Sequence, residues 1–222
     1  MGENMSGLIQ EEQRTPWKTM IFVDFWNYEL NMSELSLQQD SKKFLTDWFK
    51  YPQAVVAAAQ KLACPQGTEN YFLQYERCYV MGSFDPTKDH KLKQWADNIL
   101  PRIPGVESEF FRRQKMTTGP KCTGESHCEV RYCPTCNASM IGYKEKGVDT
   151  RIATEMLEAG LQNACDLIIL VSADKDFVPV VKKLSSRNVK CINAYFPNRG
   201  NELSKYCWSS FNIFNERESF RR

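Results

Sequence analysis

Five consecutive apolar residues, Leu167-Ile168-Ile169-Leu170-Val171, stand between Asp166 and Ser172 with no polar interruption. A strand with one wet face alternates apolar and polar side chains. A short unbroken run bounded by polar residues reads instead as a strand covered on both faces. Strands of that kind belong to parallel sheets with helices on either side, so this segment alone directs the chain towards an α/β architecture.

The rest of the chain supplies the expected partners. Trp17 to Asp24 reads as a buried strand ending on an acid, Arg77 to Phe84 as a second strand and Val106 to Arg113 as a third. Val189 to Phe196 follows the apolar run, and the tail offers a last strand around Phe211 to Phe214. Between them, helical spacing appears over Phe44 to Leu62 with Pro52 breaking or kinking it, over His90 to Leu100 up to Pro101, over Gly147 to Ala164, over Phe177 to Ser186 and briefly over Glu202 to Trp208. Tyr28 to Ser41 is polar with isolated leucines and reads as a long loop leading into a helix. Strands alternating with helices predict a doubly wound parallel sheet.

A chain of 222 residues suits one such domain with an elaboration. Hydrophobic residues at 42% and charged residues at 25% are ordinary for a globular protein. The net charge is only +2, so nucleic acid would have to be held by a local basic patch rather than by bulk charge. Met1 to Lys18 has no apolar core of the secretory type, and no apolar run approaches bilayer length, so no membrane is expected and the reading is cytoplasmic.

In open α/β sheets, ligands bind beyond the carboxyl ends of the strands, where strand order reverses. Asp24 ends the first predicted strand, and Asp174 and Asp176 follow the apolar one. If those strands are neighbours, these carboxylates share one sheet edge, with Asp149 near the start of the helix that leads back to it. Like charges that close must take up protons or share a cation, and Mg²⁺ or Mn²⁺ is the natural partner of clustered carboxylates. Such a centre suits phosphodiester hydrolysis. Each aspartate also has a structural alternative. Asp174 and Asp176 precede a predicted helix and Asp149 lies in a first helical turn, where acids cap or offset the dipole. Asp24 has no predicted helix to cap.

The residues around these acids resemble a known family. Phe22-Val23-Asp24-Phe25-Trp26-Asn27 resembles the opening motif of the NYN domain family, a branch of the PIN-like nuclease superfamily with a LabA-like group. Lys146-Gly147-Val148-Asp149 resembles its K-G-V-D motif, and Ser172-Ala173-Asp174-Lys175-Asp176-Phe177 its S-G-D-S-D-F motif. The resemblance implies a PIN-like Rossmannoid three-layer fold and metal-dependent RNA cleavage. It implies a site of Asp24, Asp149, Asp174 and Asp176, with Asn27 and Ser172 as polar helpers. Ala173 departs from the motif glycine and Lys175 from a small polar residue. Glu155 stands where the family often has Asp.

Nine cysteines fall into two groups. Cys64, Cys78, Cys165, Cys191 and Cys207 are scattered in apolar contexts and read as small core residues. Cys122, Cys128, Cys133 and Cys136 are clustered, and Cys133-Pro134-Thr135-Cys136 has the spacing of a zinc-binding turn. His127 is an alternative ligand to Cys128, and a redox pair is the alternative to metal. Four thiolates leave no open position, so Zn²⁺ there would be structural. The expectation is one nuclease domain over 1–222 with a zinc-ribbon-like insert over 115–145, whose surrounding lysines and arginines offer an RNA guide or merely a solvated face.

The leading expectation is therefore an Mg²⁺- or Mn²⁺-dependent endoribonuclease. A non-catalytic RNA-binding module and a DNA or nucleotide phosphohydrolase on the same site are the alternatives. Assembly into a homo-oligomer stays open.

Overall fold

The apolar run forms a strand at the middle of a six-stranded sheet. The computed structural model describes residues 15–63, 71–117, 131–138 and 140–222. In chain order the elements are β1 (Thr15–Asp24), α1 (Phe25–Asp40), α2 (Tyr51–Ala63), β2 (Tyr71–Phe84), α3 (His90–Asn98), β3 (Val106–Arg112), β4 (Gln114–Thr117), β5 (Ile141–Lys144), α4 (Val148–Leu161), β6 (Leu167–Val171), α5 (Val178–Ser185), β7 (Lys190–Tyr195), α6 (Asn201–Ser204) and β8 (Ser209–Asn212). Short 3₁₀ segments cover Leu100–Arg102, Lys175–Phe177 and Ile213–Phe220.

The main sheet has the order β3-β2-β1-β6-β7-β8, and every pairing in it is parallel. From β1 the chain moves outward through β2 to β3, then returns and builds outward on the other side from β6 to β8. Strand order therefore reverses between β1 and β6, which pair from Thr19 opposite Leu167 to Val23 opposite Val171. β4 and β5 form a separate antiparallel hairpin.

All five residues of β6 are fully buried. Leu167, Ile169 and Val171 join one core layer, with Tyr28, Met32, Val55, Ala59, Leu100 and the C-terminal Phe214 and Phe220. Ile168 and Leu170 join the other, with Val148, Ile152, Met156, Phe177, Val181 and Leu184. Burying one such side chain contributes ~1.5–3 kcal/mol, which holds this strand firmly in register. β1 divides in the same way, Ile21 and Val23 against Met20 and Phe22.

Two sequence expectations need correction. The polar segment after Asn27 is helix α1, not a loop. Its inward residues, Phe25, Tyr28, Asn31, Met32 and Ser36, keep helical spacing. Two of them are polar and hydrogen-bonded, so the apolar periodicity that would have revealed the helix is broken. Phe44 to Leu62 holds one helix, not two. Pro52 lies in the first turn of α2, where a missing N–H costs nothing, so it starts the helix rather than kinking it. Of the scattered cysteines, Cys78, Cys165 and Cys191 are buried and Cys207 half-buried, as expected, while Cys64 lies outside the described residues. No helix among the described residues is long and apolar enough to cross a membrane.

Candidate active site

Asp24 sits where strand order reverses. It ends β1 and also caps α1, with Oδ1 accepting the Asn27 N–H at 3.3 Å. The cap was unforeseen, because the sequence reading placed no helix there. Capping alone does not explain the residue. Asp24 is only 6% exposed, and a serine or asparagine would cap without burying a charge. Burial pushes its carboxyl up to about 7. The Asn27 N–H pulls against that rise, while the nearby charges of Asp149 and Glu145 add to it.

The neighbouring strand end completes the crevice. Ser172 is fully buried, and its hydroxyl donates to Asp24 Oδ2 at 3.2 Å and accepts the Asp174 N–H at 3.1 Å. Asp174 Oδ1 in turn accepts the Asp176 N–H at 2.9 Å, shaping the 3₁₀ turn that carries both acids. Asn193 of β7 braces this strand end from behind, donating to Leu170 O at 3.1 Å and Ser172 O at 2.9 Å. Gly200, at φ +81°, runs against this turn, and a Cβ there would lie 3.1 Å from Ala173 Cα.

Asn27 is oriented by its surroundings. Its Oδ1 accepts from Ala173 N at 3.0 Å and from Asn31 Nδ2 at 3.1 Å. The amide carbonyl is thus occupied, and among the described residues no acceptor engages Nδ2. Arg199 holds the buried Asn31 from behind, at 2.5 Å to Oδ1, and is itself paired with Glu34 at 2.8 Å.

Asp149 comes from the opposite core layer. Gly147 takes a left-handed φ of +89° that a side chain would oppose, and this turn starts α4 with Asp149 in its first turn. Asp149 is exposed as a residue, yet loss of solvent around its carboxyl raises its pKa, and the charges of Asp174, Glu145 and Asp176 raise it further. The four aspartates named from the sequence are therefore within one electrostatic neighbourhood. The roles suspected of being structural fall differently from expectation. Asp24 and Asp174 are the ones whose side chains cap, whereas no cap bond engages Asp149 or Asp176.

A fifth acid, Glu145, was not singled out from the sequence. It leaves β5 between Lys144 and Lys146, and its carboxylate accepts from the Ser83 hydroxyl at the carboxyl end of β2. Ser83 also accepts from Arg113 Nε at 2.9 Å, and its carbonyl accepts from Trp26 Nε1 at 2.6 Å. Arg113 lies over the Trp26 ring at 4.9 Å. The strand-end logic that picked out Asp24 applies equally to Ser83, and an acid just before the K-G-V-D motif was the available signal for Glu145. Glu155, by contrast, pairs with Arg151 at 2.8 Å and lies outside this group.

None of Asp24, Glu145, Asp149, Asp174 and Asp176 is ion-paired with a lysine or arginine among the described residues, Lys175 included. Nor do any three His, Cys, Asp or Glu side chains among those residues converge tightly enough to hold a metal ion as they stand. The acids crowd without closing. Carboxylate oxygens are hard donors, and Mg²⁺ characteristically takes one or two of them together with water and phosphate, so an open acidic crevice fits that ion in chemistry. Of the clustered cysteines, Cys122, Cys128 and the alternative ligand His127 lie outside the described residues. Cys133 and Cys136 form a turn closed by Asn137 N–H to Cys133 O at 2.8 Å. Backbone N–H groups of Cys136 and Thr135 hold the Cys133 thiol below its usual pKa.

Comparison with known proteins bears on the fold and the family. Among solved structures, a protein of unknown function from Vibrio parahaemolyticus shares the fold at a TM-score of 0.50, with 16% identity over 93% of this chain and 96% of that one. A structure from a study of sirtuin substrate affinity aligns at a TM-score of only 0.36 with 12% identity, over 99% of this chain and 98% of that one, and carries no argument. A search of the curated proteins gave no match. The NYN domain model matches residues 18–213, a span that takes in most of β1, the K-G-V-D turn and the acids after β6, and the chain belongs to the NYN domain family of PIN-like nucleases.

Proposed function

We propose that this chain is a divalent-metal-dependent endoribonuclease, with Asp24 and Asp174 as the principal metal ligands. The observation that carries the reading is the buried Asp24 carboxylate, linked through the Ser172 hydroxyl to the Asp174 N–H across the point where strand order reverses. Keeping a carboxylate ionised there without a counter-cation is unfavourable, and Mg²⁺ or Mn²⁺ would reverse that balance. When bound, such an ion supplies Lewis acidity at a phosphoryl oxygen and at water.

Hydrolysis adds water across one P–O bond. The water oxygen bonds to phosphorus as the P–O bond to the leaving oxygen breaks, one water proton passes to a carboxylate, and the leaving oxygen takes up a proton from solvent. Asp149, whose carboxyl is influenced by the charge of Asp174 and which is open to solvent, would receive the water proton. Asp176, whose charge also acts on Asp149, would bind metal or position the water beside it. Asn27 Nδ2, left free by the bonds to its carbonyl, donates to a non-bridging phosphate oxygen. Ser172 has its hydroxyl committed to Asp24 and Asp174, so it sets carboxylate geometry and does not touch RNA.

The test is cleavage of RNA by purified protein with Mg²⁺ or Mn²⁺, beside Asp24→Asn and Asp174→Asn. Metal-dependent cutting lost in both variants, with the fold retained, is expected. Full activity in both rejects the site. Binding of RNA without cutting in either metal supports the non-catalytic alternative, and equal cutting of single-stranded DNA supports a phosphohydrolase indifferent to the 2′-OH.

A structural zinc ion on Cys122, Cys128, Cys133 and Cys136 belongs to the same reading. It is supported by the spacing and by the N–H bonds to the Cys133 sulfur, an arrangement that favours thiolate. Metal analysis should find one equivalent of zinc, and less than about half an equivalent would reject the site.

A further inference from the structure

The hairpin β4–β5 leaves the sheet next to the acidic crevice and carries the opposite charge. Arg112, Arg113, Lys115, Arg131, Lys144 and Lys146 lie on it or at its base, and Glu145 is the one acid among the described residues of 112–117 and 131–146. All of these cations but the half-buried Arg113 are exposed, and none of the six is ion-paired among the described residues.

The hairpin does not hang loosely. Arg113 N–H donates to Phe84 O at 2.9 Å, Arg113 Nε to Ser83 at 2.9 Å, and Ser83 to Glu145. Both strands of the hairpin are thereby tied to one residue at the carboxyl end of β2, and Trp26, two residues from Asp24, is clamped into the same knot through its indole N–H and the Arg113 guanidinium. Pairing puts Lys144 opposite Gln114 and Lys115 opposite Tyr143, so the two lysines stand on opposite faces of the ribbon. Met140 N–H to Arg131 O at 2.8 Å joins Arg131 to the same ribbon.

We propose that the base of this hairpin is the binding track for the backbone of single-stranded RNA running out of the acidic crevice. It rests on the ribonuclease reading for the identity of the ligand. An acidic crevice repels a polyanion, so a strand that places one phosphate at Asp24 needs its flanking phosphates held by cations, and this ribbon offers them at a fixed offset from the site. Asp24 is recessed at 6% exposure, so the scissile phosphate must bend inward to reach it. A flexible single strand does so at less cost than a duplex, whose backbone is fixed by stacking on both strands.

The experiment is fluorescence anisotropy of a labelled single-stranded RNA of about twelve nucleotides, titrated with full-length protein in the absence of added divalent cation, at several salt concentrations. Replacing both exposed lysines, Lys115→Gln with Lys144→Gln, should weaken binding about tenfold near 0.1 M salt. The slope of log Kd against log salt should fall by about 1.4, the value for two lost single-strand phosphate contacts. Lys18→Gln, at the far end of β1, should leave both unchanged, and a melting curve on each variant shows that it is folded. Unchanged affinity and slope in the folded double variant overturn the proposal, as does tighter binding of an equal-length duplex or no measurable binding by the wild type. Because no metal is added, the result is independent of cleavage: a protein that binds through the hairpin but never cuts removes the nuclease reading alone, and one that cuts with an indifferent hairpin removes this inference alone.

Discussion

The two sides of the β1–β2 edge are built in opposite ways. On the β1–β6 side the candidate functional groups are acids set by the core: Asp24 follows five fully or nearly fully buried residues, Thr19 to Val23, and Ser172 follows five, Leu167 to Val171. On the β2 side they are cations, carried on a two-stranded ribbon that makes no pairing with the main sheet and is secured through Ser83, Glu145 and Arg113. The acids are crowded and costly without a counter-ion, whereas the cations are solvated and cost little. On the proposed reading, the difference makes chemistry and capture separable. Changes to the acids should alter rate steeply and stability with pH, while changes to the ribbon should alter affinity and salt dependence.

The sharpest way to break this division is Asp24→Asn. If the crevice does the chemistry, cleavage should fall on the order of a thousandfold with RNA affinity kept or slightly improved, since a negative charge has gone. A variant that loses affinity and rate together would mean that the two sides are not separable.

Next in size is the effect of pH. Asp24 has a carboxyl raised from an ordinary 3.8 to about 7. A raised folded-state value means that the folded protein holds its proton longer than the unfolded chain. The resulting stability is fully present below pH 3.8 and is lost as pH rises to about 7, in total about 4 kcal/mol. Asp24→Asn should remove this slope, so that without divalent cation the variant is the more stable protein at pH 8 and the gap closes near pH 4. Denaturation curves measure it, and parallel pH profiles for the two proteins would show that burial does not raise this carboxyl. If the ionised form is the one that holds metal, cleavage at subsaturating divalent cation should be about tenfold lower at pH 6 than on its plateau above pH 8.

How much of this the sequence disclosed follows from the same division. Asp24, Asp174 and Asp176 could be singled out because strands with continuous apolar runs announce themselves and acids at their ends are conspicuous, whereas Asp149 was singled out by its place at a predicted helix start and in the K-G-V-D resemblance. The central strand was likewise readable from Leu167 to Val171, whereas its pairing with β1 was only a condition in the sequence and is a finding of the structure. Helix α1 was not, because Asn31 and Ser36 occupy inward positions where periodicity expects apolar residues. Asn31 is inward to lock the Asn27 amide, so the feature that hid the helix also serves the site. Glu145 and Ser83 were missed for a different reason. Their meeting joins residues 62 positions apart through a hairpin whose docking no local pattern encodes. Asp85 shows the converse risk. It too follows a strand, but bonds from the Thr87 hydroxyl and N–H hold its carboxyl below the usual range and make it a turn-builder.

A middle-sized effect distinguishes Asn31 as a locking residue. Asn31→Leu keeps the volume but removes the donor that fixes Asn27. Freed to rotate, the Asn27 amide should present Nδ2 to phosphate only part of the time, lowering kcat on the order of tenfold with KM little changed. An equal fall in Asn27→Ala and in the Asn27→Ala, Asn31→Leu pair would show that Asn31 acts through Asn27, whereas additive losses would assign Asn31 to general stability.

The smallest effect tests the seam between the two regions. Arg113 belongs to the cationic ribbon, yet its Nε bond to Ser83 and its position over Trp26 couple that ribbon to the first turn of α1 beside Asp24. Arg113→Lys keeps the charge but loses the planar fork that makes both contacts at once. If Arg113 serves capture only, the lysine variant should bind RNA with unchanged salt slope and cut it at the wild-type rate. If it also aligns the ribbon with the crevice, the salt slope should still hold, because the charge remains, while stability drops by about 1 kcal/mol for the lost hydrogen bond and kcat falls a few-fold as the track shifts relative to the acids. The second outcome is expected, since Ser83 joins Arg113 to Glu145 and Glu145 raises the Asp24 carboxyl, so a loosened ribbon is felt at the acid it flanks.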